Sequence, residues 1–354
     1  MTGPRELMSD RRFALLWLWR TRCSSLVTER VLAPPGTHWQ PDGYGRAMAD
    51  HDARLPSGTQ HEIRHGDQMA VVTEAGATLR SYQAAGRAVV DGFAASAKPD
   101  GGRGQVLAPW PNRVADGRWT WDGAEQQLAL TEVANHNAIH GLVRWATWTA
   151  VEQATDAVTL TTTVWPQPGY PFLLGLTATY RVSDDGLSVA LRARNDGGRP
   201  APYGVGQHPY LTAGTELADT TVLTVPARTR LLLDERGSPV GRAPVDGSPY
   251  DFRAPRAIGD LVLDTAYGDL APGDDGLVRV RLERPDGGGT ELWAGPATRW
   301  LQVFTGDTLA PDRRRRGVAV EPMSCPPGAL ASGDDLVVLA PGEEHGLEWG
   351  LHAW

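Results

Sequence analysis

The chain has 354 residues, with 34 lysines and arginines against 42 aspartates and glutamates and a formal net charge of −8. That balance excludes the basic face a nucleic-acid partner needs. Lys98 is the single lysine, which rules out a phosphate-binding loop, and Cys23 and Cys325 are too few for a disulfide framework or a thiolate zinc site.

Residues 1–55 differ from the rest of the chain. They hold Pro34-Pro35-Gly36, several arginines and no usable alternation, and are read as an N-terminal extension whose order the pattern leaves open. The apolar segment 13–19 follows two arginines but is cut by Arg20 and Arg22, too short to span a bilayer and without a small-residue cleavage site. Met48 is a possible start of translation. The expectation is a cytoplasmic protein with no membrane segment.

From about residue 60 the pattern is β, and residues 56–354 are expected to form one domain. Val158, Leu160, Thr162 and Val164 alternate with Thr159, Thr161, Thr163 and Trp165. Leu187, Val189, Leu191 and Ala193 alternate with Ser188, Ala190, Arg192 and Arg194, and Val278, Val280 and Leu282 with Arg279, Arg281 and Glu283. Period two with one polar side predicts half-buried antiparallel strands. Asp-Gly pairs at 116, 122, 185, 196, 246, 275 and 286 supply the turns. Many short strands without a long helical period or a fixed repeat predict an all-β sandwich or barrel.

Within that frame, His61-Glu62-Ile63-Arg64-His65 spells a zinc-protease motif. The motif needs a helix, and on a strand the two histidines are about 13 Å apart, too far to grip one ion. Pro109-Trp110-Pro111-Asn112-Arg113 is a stiffened loop that offers an indole face beside convergent donors, the pairing a sugar ring needs. Trp110 serves equally well as plain core. In Ile139-His140-Gly141 the glycine permits close backbone approach. In Gly206-Gln207-His208-Pro209-Tyr210 the proline restrains the backbone of a histidine whose proton moves near neutral pH.

Leu263-Asp264 ends an apolar stretch with an acid, and Gln302 is the polar residue of the strand-like run Leu301-Gln302-Val303-Phe304. The basic run 313–316 reads as a solvated loop. Val318-Ala319-Val320 reads as a strand that ends on Glu321, because Pro322 has no N–H for a ladder. Cys325, close behind, reads as packing.

These pieces, in this order, resemble the aldose 1-epimerase (galactose mutarotase) family, from about Gln60 to the C-terminus. Pro111-Asn112-Arg113, Ile139-His140-Gly141, His208-Pro209-Tyr210, Leu263-Asp264, Leu301-Gln302-Val303-Phe304-Thr305-Gly306 and Val320-Glu321-Pro322 carry the likeness. The spellings around Trp110 and Met323 are similar to a bacterial subgroup. The resemblance implies a large antiparallel sandwich (a galactose mutarotase-like supersandwich) with a sugar cleft and no cofactor or metal. It implies Glu321 as general base and His208 as general acid, across a gap about one pyranose wide. Asn112, Arg113, His140, Asp264 and Gln302 would hold hydroxyls, and the protein would be a monomer or homodimer. Asp264 is also a candidate for favouring protonation of His208. Two alternatives remain. One is an epimerase for a phosphorylated or sulfonated hexose, with Arg144 or Arg299 taking the anion. The other is a non-catalytic carbohydrate-binding sandwich. A glycosidase is disfavoured, because it usually needs two carboxylates where this pair has one.

Overall fold

The computed structural model describes residues 54–354. The readings made for the extension, for segment 13–19 and for Met48 lie outside the described residues, apart from Arg54 and Leu55. The turn chemistry works as written. At Asp116-Gly117 and Asp122-Gly123 all four residues have positive φ, the geometry whose twist matches that of a hairpin. They link Arg113–Ala115 to Arg118–Trp121, and that strand to Ala124–Gln127.

Two large antiparallel sheets build the molecule. One has nine strands, in spatial order Thr149–Gln153, Ala157–Val164, Leu174–Ser183, Gly186–Asn195, Glu344–Ala353, Gly289–Ala294, Val278–Glu283, Val222–Thr224 and Arg256–Ala257. The other has eight. Seven run in the order Pro239–Pro244, Ala227–Leu233, Asp264–Leu270, Trp300–Phe304, Val318–Met323, Gly206–Gln207 and Val106–Leu107, and Tyr210–Leu211 also pairs with Val318–Met323. A four-stranded meander, Gln60–His65 to Arg87–Ala88, adds to them. The fold is the all-β antiparallel sandwich that the alternation predicts. Leu187, Val189, Leu191 and Ala193 are buried while Arg192 and Arg194 are exposed. Among the described residues no helix is long and apolar enough to cross a membrane.

One core joins the sheets. Leu160, Leu191, Leu347 and Trp349 of the nine-stranded sheet cluster with Val106, Leu301, Val303, Val318 and Val320 of the other. Burying each such side chain contributes about 1.5–3 kcal/mol. Because side chains alternate, the residues between these inward ones, Gln302, Ala319, Glu321 and Met323, project from the opposite face of the eight-stranded sheet. That face carries the site.

Two expectations need correction. Glu321 is not at a strand end: the strand Val318–Met323 runs through Pro322, which lies opposite Leu301. Val320 N–H donates to the carbonyl of Pro209, so by alternation the missing N–H of Pro322 falls on that same side. There the ladder is already interrupted between Gly206 and Tyr210, and proline is tolerated at such a break. The basic run 313–316 is not simply solvated either. Arg315 is paired with Asp219 and Asp307, and Arg313 lies 3.4 Å from Asp91. The residues of the zinc-protease spelling lie on the strand Gln60–His65, where His61 contacts Gln153 and His65 contacts Asp184.

Candidate active site

Three adjacent strands deliver the floor of the site. In the antiparallel register Gln302 is opposite Glu321 and Ala266 is opposite Gln302. Directly opposed residues share a face, and so do residues two apart, so Asp264, Gln302 and Glu321 all project from one side. His208 comes from the next segment. The side chain of the preceding residue, Gln207, points inward: its amide donates to Tyr180 Oη at 2.7 Å and to the Gly104 carbonyl, and its Oε1 accepts from Trp349 Nε1. With Gln207 anchored in the core, His208 is turned to the site.

Glu321 Oε1 and His208 Nε2 lie 3.2 Å apart, and both side chains are nearly fully buried. The expected gap of one pyranose between them is therefore absent; the pair is in contact, and both groups border one cavity. That cavity has a volume of about 600 Å³ and is bordered also by Asn112, Arg113, His140, Arg144, Trp145 and Asp264. A groove of similar size on the outer face of the nine-stranded sheet has no histidine, and its Arg192 and Arg194 are paired with acids.

The second wall is built by two backbone turns. Asn112 and His140 both have left-handed backbones, with φ of 57° and 62°. The N–H of His140 donates to the carbonyl of Asn112 at 2.9 Å, and the N–H of Asn112 donates to His140 Nδ1 at 3.1 Å. Gly141 permits the close approach expected of it: a Cβ there would lie 2.0 Å from the carbonyl oxygen of Ala108. Asn112 Oδ1 accepts the N–H of Arg113, which leaves the amide nitrogen as a donor. The Arg113 guanidinium is held by Glu132 through two bonds of 2.9 Å and lies 3.7 Å from Asp264. Asp264 in turn accepts from Gln302 Nε2 at 2.5 Å.

Burial dominates the protonation of the central groups. It raises the Glu321 carboxyl well above its ordinary value, with Asp264 adding to the effect and Arg113 opposing it. It lowers His208 to about 3, helped next by the positive charge of Arg103. His140 is pushed well below its usual range by burial and then by His208. Glu321 Oε2 and Gln302 Oε1, on directly opposed residues, are both buried with no donor among the described residues.

His140, His208 and Glu321 present ligand atoms within 4.8 Å of one another, and two imidazoles with one carboxylate is a known metal-binding set. The hydrogen bonding does not suit an ion here. His140 Nδ1 accepts the Asn112 N–H, so its proton is on Nε2 and no lone pair is left for a metal. His140 is a donor toward the cavity.

Asn112, Arg113, His140, His208, Asp264 and Glu321 thus converge on one cavity, with Gln302 bonded to Asp264 beneath it. Trp110 does not join them. It is buried in the core against Tyr170, 6.4 Å between ring centroids. The aromatics that border the cavity are Trp145, 57% exposed, and Phe304. Of the two candidate cations, Arg144 borders the cavity, whereas Arg299 is elsewhere, beside Asp335. The carboxylate against His208 is Glu321 and not Asp264. Cys325 is buried, as packing requires. Sequence reading also missed Tyr210, stacked on His208 at 5.0 Å and 12°. A signal existed, since residues two apart in extended chain share a face. Glu132 had none, because it meets Arg113 from 19 positions away.

Comparison with known proteins identifies the family. Residues 59–352 match the family model described as aldose 1-epimerase. The Escherichia coli (strain K12) protein YihR, described as uncharacterized, is 34% identical over 297 residues, covering 84% of this chain and 94% of the relative. The aldose 1-epimerase of Escherichia coli (strain K12) is 31% identical over 168 residues, covering 45% of this chain and 47% of that enzyme. A crystal structure of a putative aldose 1-epimerase from Escherichia coli K12 superposes with a TM-score of 0.73 at 22% identity, covering 84% of this chain and 99% of that one. The chain belongs to the aldose 1-epimerase family.

Proposed function

We propose that the protein interconverts the α- and β-anomers of a hexose by opening and reclosing the ring. The observation that carries this is the contact of Glu321 and His208, 3.2 Å apart, at a cavity whose other wall is made of hydrogen-bond donors. With the carboxyl raised and the imidazole lowered, the pair shares one transferable proton. Ring opening needs one proton given and one taken. As the sugar enters, the shared proton passes to His208. Glu321 then takes the proton of the C1 hydroxyl while His208 gives its own to the ring oxygen. The C1–O5 electron pair goes to the ring oxygen, and the O–H electrons form the aldehyde. Rotation about C1–C2 presents the other face, and closure runs both transfers in reverse, which restores the pair. A positioned acid and base each contribute about 10²–10⁴-fold. Arg113, Asn112 and His140 fix the pose that lets both act together. No external cofactor enters these steps.

A second reading is favoured by one observation. The guanidinium of Arg144 borders the cavity half-buried, yet makes no hydrogen bond or ion pair among the described residues. A sugar bearing a phosphate or sulfonate would meet it. Polarimetry or NMR of fresh α-anomers, neutral hexoses beside anionic ones, tests both readings. Accelerated equilibration of a neutral hexose supports the first, and acceleration confined to the anionic sugars supports the second. Sugar binding with no acceleration of any anomer overturns both in favour of a non-catalytic module.

A further inference from the structure

Behind His208 is a three-layer stack that the reaction scheme does not use. The Tyr210 ring lies against the imidazole, 5.0 Å between centroids and 12° from parallel. The Arg103 guanidinium lies over the Tyr210 ring, its Cζ 4.0 Å from the centroid. Arg103 is 1% exposed, a rare placement for a cation. It is held by Asp91 at 2.8 Å, by the Asp91 carbonyl and by Asp100 at 2.9 Å. Tyr210 Oη donates to the Gly101 carbonyl. The same loop seats His208 itself. Gly104 N–H donates to the His208 carbonyl, and the His208 N–H donates to the Gln105 carbonyl. A Cβ on Gly102, whose φ is 76°, would lie 2.7 Å from His208 Cδ2.

We propose that Arg103 is a positioning residue for the Glu321–His208 pair: acting across the Tyr210 ring, its buried guanidinium fixes the imidazole plane and sets which of the two holds their shared proton. The packing explains the first half. An imidazole stacked on the Tyr210 face, with the Gly102 backbone close to its Cδ2, is restricted in ring plane, and that plane points Nε2 at Glu321. The charge explains the second. Arg103 Cζ is no more than about 9 Å from the imidazole centroid, with the Tyr210 ring between them. At that range a buried cation biases protonation by about one pH unit. The other groups facing His208 are Glu321, His140, Arg144 and, more distantly, Asp100. Arg103 is the leading charge among those that lower its affinity for a proton, after burial itself.

The test reads the proton directly, in full-length protein without sugar, from the ¹⁵N resonance of His208 Nε2 and the ¹³C resonance of the Glu321 carboxyl near pH 7. The resonances expected for the unaltered protein are those of a protonated carboxyl and a bare Nε2. In Arg103→Met both resonances move toward imidazolium and carboxylate, whereas Arg103→Lys, which keeps the charge, stays near the starting position. Unmoved resonances in a folded Arg103→Met, or equal movement in both variants, overturn the proposal and leave Arg103 as a clamp on the loop. Should Arg103→Met not fold, Arg103→Gln decides: movement toward imidazolium supports the proposal, and its absence overturns it. The readout involves no turnover, so it stands or falls separately from the proposed activity. Where that activity holds, kcat of Arg103→Met falls about tenfold with KM within about twofold.

Discussion

Asn112 and His140 hold each other by two reciprocal backbone contacts. The N–H of Asn112 donates to the imidazole Nδ1 and the N–H of His140 donates to the carbonyl of Asn112. Both residues take left-handed backbones to do so. The consequence is chemical: a neutral imidazole whose one proton is on Nε2, on the cavity side.

That orientation predicts the behaviour of His140→Phe. The ring volume is kept, and the Nε2–H donor toward the cavity is lost together with the acceptor for Asn112. KM should rise about tenfold, the equivalent of one hydrogen bond of about 1.4 kcal/mol, with kcat changed less. Steady-state anomerisation rates check this; a KM within about twofold of the parent would remove His140 from sugar binding.

In the proposed reading Arg113 combines a binding task with a structural one. Its guanidinium is held by Glu132, and both side chains are largely buried. Arg113→Leu should raise KM at least about tenfold and lower stability by roughly 2 kcal/mol, because Glu132 is left without its charged partner. Urea denaturation and steady-state kinetics on one preparation separate the two effects.

The two tryptophans should part company. Trp145 is exposed at the cavity, and Trp110 is sealed in the core. Trp145→Ala should raise KM by about threefold to tenfold, within the reach of one aromatic contact, at little cost in stability. Trp110→Leu should cost stability on the order of 2 kcal/mol and leave KM unchanged. The reverse pattern would return the sugar platform to Trp110.

The pH dependence of stability carries a definite sign. The Glu321 carboxyl is raised in the folded protein, so its contribution is present below the unfolded value near ~4.3 and is lost as pH rises toward the folded one. His208 is lowered to about 3. Its contribution is present above the unfolded value near ~6.5 and is lost as pH falls toward 3. Glu321→Gln keeps the shape and removes the first loss. Relative to the parent it should gain stability as pH rises above the unfolded value near ~4.3, on the order of 1 kcal/mol by urea denaturation. A difference that does not change with pH would mean that the carboxyl is ionised in the folded protein.

Much of the fold and the site was legible in the chain, and the reasons are local. Alternation in 187–193 and 278–282 marks the inward faces, since a strand's period of two is written residue by residue. The ordered motifs gather Asn112, Arg113, His140, His208, Asp264, Gln302 and Glu321 without any geometry. Three things were not legible. Pro322 marks a strand end only if its missing N–H would be needed, and that depends on which neighbour lies on that side, here the interrupted 206–211 segment. Trp110 between two prolines looks presented, yet the direction it faces is decided by Tyr170, 60 residues on. The contact between Glu321 and His208 is a distance across a sheet, which spacing along the chain does not record.

The central claim is that the carboxyl of Glu321, in contact with His208, moves the proton that opens the sugar ring. NMR exchange rates between α- and β-anomers, compared for the parent and Glu321→Gln at equal concentration of folded protein, test it most directly. The account predicts a fall of at least about 10²-fold in the catalysed rate, with sugar binding retained. A variant that still equilibrates anomers within about threefold of the parent would contradict it.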